Sequence, residues 1–295
     1  MSLSSLILSG VALSIFLAVV AVGMRIVPAD LHYLLSKPAR LAWSLLAMYV
    51  LAPIVALAVC HLASAHPAVT VAIVTLSISP VGVLFSQAML PLVAPGHMAY
   101  ARGLLFASAM LSVVLTPLAV EVIQLVYGGD VHVSPLAVAQ VVIGTLLVPL
   151  GIGLAIGRWW PRARGWIPAL QKAGSLVLLV CAVAIIASAW PLMASVYRVG
   201  TVTAIVLISL LWLAAGHLSG GPDEDDRTVL AFATASRHPG VAVAVGSLTD
   251  QPLAPVGVLL VVLVSELAVI PYKTWRKRRR AAAAESPAGP PAGAH

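Results

Sequence analysis

Thr-Leu-Ser-Ile-Ser-Pro-Val-Gly (75–82) and Ala-Thr-Ala-Ser-Arg-His-Pro-Gly (233–240) decide how this chain is read. Each lies inside a long apolar run and sets a proline close to a glycine, flanked by polar side chains. Proline removes a backbone N–H and pushes the residue before it out of the helical region, and a nearby glycine permits unwinding. Both stretches therefore predict a helix broken near its middle, with Pro80, Gly82, Pro239 and Gly240 at the breaks. One reading is a pair of simple proline kinks. The other is a binding site, because freed backbone groups at membrane depth are tolerated only against protein or a wet cavity.

Around those stretches the composition leaves one solvent. Of 295 residues 61% are hydrophobic and 9% charged, with mean hydropathy +1.04, against about 25% charged in a soluble domain. Apolar runs of roughly 20 residues cross a bilayer, and nine are expected: 5–24, 39–62, 67–89, 98–127, 134–157, 167–190, 198–218, 226–249 and 252–275. The Ala/Pro/Gly-rich stretch from Ala281 to His295 reads as a disordered tail.

Nine crossings place the termini on opposite sides. One side then collects Arg25, Lys37, Arg40, Arg102, Arg158, Arg162, Arg164, Lys172, Arg227 and the six basic residues from Lys273 to Arg280; the other holds Arg198. The positive-inside rule puts the C-terminus in the cytoplasm and the N-terminus outside, in a cytoplasmic (inner) membrane. The net charge of +7 thus serves orientation, and no nucleic-acid partner is expected. Cys60 and Cys181 lie in apolar runs and read as packing residues. The acidic run from Asp223 to Asp226 either binds a cation or, on the blander reading, caps a helix N-terminus.

The fold also reads as an inverted repeat. Adding 159 to the second, third and fourth spans gives the seventh, eighth and ninth, and Pro80 falls on Pro239. Within the second break Arg237 stands out. A basic side chain at mid-span costs about 2.5–3.5 kcal/mol, so it needs a partner or a wet cavity. Glu266 is the expected ion-pair partner, with Glu121 less well placed. The pair either fixes helix packing, or Arg237 binds an anion beside half-helix N-termini. His238 could carry a coupling proton or be a hydrogen-bonded packing residue. No metal-ligand spacing, nucleophile elbow or phosphate loop is present, so no catalytic residue, metal or organic cofactor is expected and the chain does not read as an enzyme. No helix-interface motif stands out against the small-residue background, which leaves the oligomeric state unread.

The loop Asp30-Leu-His-Tyr-Leu-Leu-Ser-Lys-Pro-Ala-Arg40 before a span with Pro53, Ser79-Pro80-Val-Gly82 followed by Ser86-Gln87, and Arg237-His238-Pro239-Gly240 occur in this order. Together they make the chain, from about residue 10 to 280, resemble the bile acid:sodium symporter family. The resemblance implies core and panel domains with a substrate cavity between them. The panel would comprise 5–24 and 134–190, the core 39–127 and 198–275, followed by a basic and then disordered tail at 276–295. It also implies sodium-coupled uptake of organic anions by movement of one domain against the other. The family's sodium ligands fall here at Met48, near Ala101 and Leu105, at Ala233 and at Arg237–His238; only Ser86–Gln87 resembles its Ser-Asn.

The expectation is an all-α membrane protein with two interrupted crossing helices, the third and eighth. It acts as a secondary transporter of a small organic anion bound near Arg237, His238, Ser86, Gln87, Thr234 and Ser236. Sodium or a proton is the possible coupling ion, with Arg237 standing in for the cation if sodium dependence is lost. The competing classes are a membrane sensor with the same fold and, further off, an intramembrane hydrolase.

Overall fold

Prolines set where many of the helices begin. Proline suits the first helical position because its missing N–H would have no intrahelical acceptor there. The computed structural model describes residues 3–63, 65–82, 85–127, 133–196 and 199–285; Arg198 and the tail from 286 onward lie outside them. Pro28, Pro38, Pro67, Pro135 and Pro239 each open a helix.

In order, the helices are α1 (Leu3–Arg25), α2 (Pro28–Leu35), α3 (Pro38–Leu46), α4 (Ala52–Leu62), α5 (Pro67–Ile78), α6 (Phe85–Met89) and α7 (Met98–Tyr127). Then follow α8 (Pro135–Val142), α9 (Val148–Trp159), α10 (Ile167–Val196), α11 (Val199–Ser219), α12 (Glu224–Ala235), α13 (Pro239–Gly246) and α14 (Ala254–Glu285). A π-helical turn at Ala47–Leu51 fuses α3 to α4, and another at Ile143–Leu147 fuses α8 to α9. No strand occurs among the described residues.

Among the described residues five helical runs are long and apolar enough to cross a bilayer: Pro38–Leu62, Pro95–Leu125, Pro135–Trp159, Gly200–Ser219 and Ala254–Ala282. Shorter apolar helices, Ser9–Arg25 and Pro67–Ile78, accompany them. The chain is a multi-pass integral membrane protein. The last helix continues to Glu285, so residues 281–285 are helical where the sequence suggested the start of a disordered tail. Their four alanines are strong helix formers.

Two kinds of packing hold the bundle. α1 lies against α9 and α10 along a seam of small residues. A side chain at Gly23 would meet the Leu150 carbonyl at 2.5 Å, and one at Gly157 the Met24 carbonyl at 2.8 Å. Gly153 lies as close to the Val20 carbonyl. Such backbone approach is how helices gain van der Waals contact where no hydrophobic force drives them together. Gly153-Leu-Ala-Ile-Gly157, which did not stand out in sequence, is thus a helix-interface motif used within the chain. Elsewhere, large apolar side chains from α1, the α3–α4 run, α7 and α12 form a continuous core around Met48, Tyr100, Leu104 and Phe232.

Three arginines tie helices together through acids. Arg102 grips Asp30 through two hydrogen bonds of 2.8 and 2.9 Å. Arg40 reaches Asp226 at 2.5 Å, and Arg276 joins Glu224 and Asp225 at 2.5 and 2.7 Å. These contacts join α2 to α7, α3 to α12 and α12 to α14.

Candidate functional site

The two helix breaks meet. Val81 and Arg237 form an isolated antiparallel bridge. The Gly82 N–H donates to the Ser236 carbonyl at 2.8 Å, and the His238 N–H donates to the Pro80 carbonyl at 2.8 Å. Backbone groups freed by one interruption are satisfied by the other, which answers the requirement that membrane depth imposes. Gly82 permits the approach: a side chain there would lie 3.1 Å from the Arg237 carbonyl and 3.4 Å from that of Ser236. The bridge has a local twofold that relates Val81 to Arg237, a spacing of 156 residues. The two prolines do not face each other across the bridge. Pro80 precedes the bridging residue, whereas Pro239 follows His238 and opens α13.

Arg237 is buried, at 5% exposure, and all three of its guanidinium nitrogens are engaged. Nε donates to the Thr234 carbonyl at 2.8 Å, Nη1 to Ser79 at 3.0 Å and Nη2 to Met48 at 2.5 Å. Two of those acceptors lie at the C-terminal ends of α5 and α12, where unsatisfied carbonyls and the helix dipole concentrate negative charge. The third is a product of the π turn. The Ala52 N–H bonds to Ala47 rather than to Met48, and residue 53, next in line, is a proline without an N–H. The Met48 carbonyl is left free, and the guanidinium takes it. The Tyr49 ring lies 5.9 Å from the Arg237 Cζ, and the Tyr49 hydroxyl donates to the Ser108 carbonyl at 3.1 Å.

Glu266 is not the partner of Arg237. It is exposed and pairs with Lys273 at 2.9 Å, while Glu121 lies exposed on α7. Carbonyl dipoles from three segments do what a carboxylate was expected to do. The guanidinium also faces half-helix C-termini, where half-helix N-termini had been anticipated.

The other expected site residues divide. Thr234 and His238 are fully buried beside Arg237. The Thr234 hydroxyl donates to the Leu230 carbonyl at 2.7 Å. His238 Nδ1 accepts the Val241 N–H at 3.3 Å and caps α13, while Nε2 has no partner among the described residues. Ser236 contributes its carbonyl to the bridge, and Gly240 leaves room for Ile15 of α1. Ser86 lies elsewhere, with Gln87 next to it half-buried. Ser86 lies against Val22, Arg25, Ile26, Arg102 and Leu105 in a tight crevice between α1, α6 and α7, too narrow to hold a water molecule. Arg25 and Arg102, read from sequence only as orientation charges, thus line the crevice.

The acidic run caps a helix. Asp223 accepts the Asp225 and Asp226 N–H groups at 2.9 and 3.0 Å at the start of α12. The donation from Asp226 above all holds the Asp223 carboxyl below its usual range. Asp226, however, is buried, with Arg40 on one oxygen and His97 Nδ1 2.9 Å from the other. His97, Asp223 and Asp226 are close enough to share a metal ion, but their existing partners already account for the cluster.

Met48, Ala101, Leu105 and Ala233 belong to the same apolar core. These are positions where the resemblance put sodium ligands, and none has a side-chain oxygen. A sequence profile of the sodium bile acid symporter family matches residues 12–196, which include the first break, Met48 and the crevice residues. No curated protein gives a significant match.

Proposed function

Because the chain belongs to the sodium bile acid symporter family, we propose that it is a secondary transporter of a small organic anion in which Arg237 takes the place of a coupling sodium ion. The observation that carries this reading is the guanidinium's set of three carbonyl acceptors, Met48, Ser79 and Thr234. Oxygen ligands from several segments are what a hard monovalent cation requires. Here a tethered cation already occupies such a set, and its charge repels a second one. The apolar side chains at Met48, Ala101, Leu105 and Ala233 support the same reading.

On this reading the chain crosses the inner membrane nine times as an inverted repeat, with its C-terminus in the cytoplasm. α1, the α8–α9 run and α10 form the panel and the remaining spans the core. Alternating access opens and closes the seam between them. The substrate anion enters between panel and core beside Ser86, where it competes with Asp30 for Arg102 and with Gln171 for Arg25; guanidiniums favour a carboxylate or sulfonate.

Thermal unfolding of the purified protein in sodium, potassium and choline salts at equal ionic strength tests the proposal. A ligand that binds only the folded state raises apparent stability by mass action. The three salts should give the same midpoint. A sodium-specific rise of several degrees would sink it. A proton-coupled version rests on the unpartnered Nε2 of His238. It requires uptake to follow an imposed pH gradient in wild type and to lose that dependence in His238→Gln.

A further inference from the structure

Six residues between α9 and α10 stand apart from the transport machinery. Pro161–Trp166 is a 3-10 turn, and around it Arg158, Trp159, Trp160, Arg162, Arg164 and Trp166 are all exposed. Trp159 is 82% exposed, more than any other tryptophan among the described residues with large exposed side chains. The turn is nonetheless firmly seated. Ala163 and Ile167 are buried against Val20, Ala21 and Met24 of α1, and the Ala163 N–H donates to the Trp160 carbonyl at 2.9 Å. The Trp160 and Trp166 rings meet edge to face with centroids 5.1 Å apart.

Three guanidiniums here have no ion-pair or hydrogen-bond partner among the described residues. The basic stretch at the end of α14 differs. There Lys273 is paired with Glu266, and Arg276 with Glu224 and Asp225. Lys277 and Arg278 of that stretch are exposed and without an ion-pair partner among the described residues as well, but the three charges of the α9–α10 turn are interleaved with indoles and set at the end of an apolar run long enough to span a bilayer.

Tryptophan partitions to the headgroup level, where its ring meets acyl chain and glycerol while its N–H finds an acceptor. Arginine grips a phosphate bidentately. We propose that this turn is a binding site for an anionic phospholipid headgroup, the three guanidiniums holding its phosphate and the indoles its glycerol and upper acyl chain. Since Ala163 and Ile167 tie the turn to α1, the lipid fastens the α1–α9–α10 unit to the membrane interface.

Quenching of tryptophan fluorescence by brominated phosphatidylglycerol, compared with brominated phosphatidylcholine in mixed micelles of full-length protein, tests this. Wild type should prefer the anionic lipid by about fivefold or more, the scale expected of even one interfacial arginine. The triple variant R158Q/R162Q/R164Q should lose that preference, and K277Q/R278Q on α14 should keep it. An undiminished preference in the triple variant would overturn the site, as would its survival in W159F/W160F/W166F. Competition by millimolar inorganic phosphate would make the turn a free-anion site and overturn the lipid assignment. Should the triple variant fail to fold, native mass spectrometry of wild type from an equal mixture of the two lipids decides. Retained phosphatidylglycerol is expected, and equal retention of both lipids refutes the proposal.

Discussion

The two helix breaks sit against each other and yet are built from opposite materials. The first, Ser79 to Gly82, contributes carbonyls and a glycine; the second, Ser236 to His238, contributes a guanidinium, an imidazole and a carbonyl. The first break is a socket and the second a plug. Two identical breaks would have left their outward carbonyls to an ion or water, since at that depth no other donor is at hand. The asymmetry closes the crossing with the chain's own charge.

The sharpest way to break the comparison is Arg237→Gln. It leaves buried carbonyls without donors, and about 3–5 kcal/mol should be lost, seen as a large fall in the thermal midpoint or in folded yield. A variant as stable as wild type would mean the plug is ornamental. Gly82→Ala comes next. Its new methyl group would face the bridge backbone 3.1 Å away, which must shift by a few tenths of an ångström, at a cost of about 1–3 kcal/mol. The same substitution at Gly240 meets the flexible end of Ile15 at 2.8 Å but also the buried His238 ring at 3.2 Å, so a loss of about 1 kcal/mol is expected in the same melting experiment.

Pro53→Ala probes the third acceptor. Removing a proline inside a helix ordinarily stabilises it. Here a restored α turn would return the Met48 carbonyl to the Ala52 N–H and take it from Arg237, so a loss of about 1 kcal/mol is expected. A higher melting temperature would show that Pro53 only kinks the helix. The smallest effect belongs to the cap of α12. Asp223→Ala should cost about 0.5–1 kcal/mol at neutral pH. Because its folded carboxyl titrates below the unfolded value, the cap's contribution is complete above the unfolded pKa of about 4. It is lost as pH falls through the lower folded value. Wild-type and variant melting curves should therefore converge in acid.

Much of this was legible in the chain. Proline and glycine marked both breaks because they act on their own backbone. The Asp223 cap was readable because capping acts within a single turn. The partner of Arg237 was not. Its acceptors are main-chain carbonyls, which every residue possesses, and one lies 189 positions away. The freedom of the Met48 carbonyl depends on a π turn that Pro53 hints at without specifying. Glu266 attracted attention as an acid in a neighbouring span, but helix periodicity put it with Lys273 at the surface.

The fork of Arg237 has a kinematic meaning. Met48, Ser79 and Thr234 belong to three different helical segments, and one planar group fixes all three at once. Relative sliding or rotation among those segments has to tear a charged hydrogen bond in a medium that offers no replacement. The crossing therefore travels as one rigid piece, and any stroke of the molecule falls to joints outside it. The candidate is the seam where α1 faces Ser86 and Arg102, which is held by apolar side-chain packing.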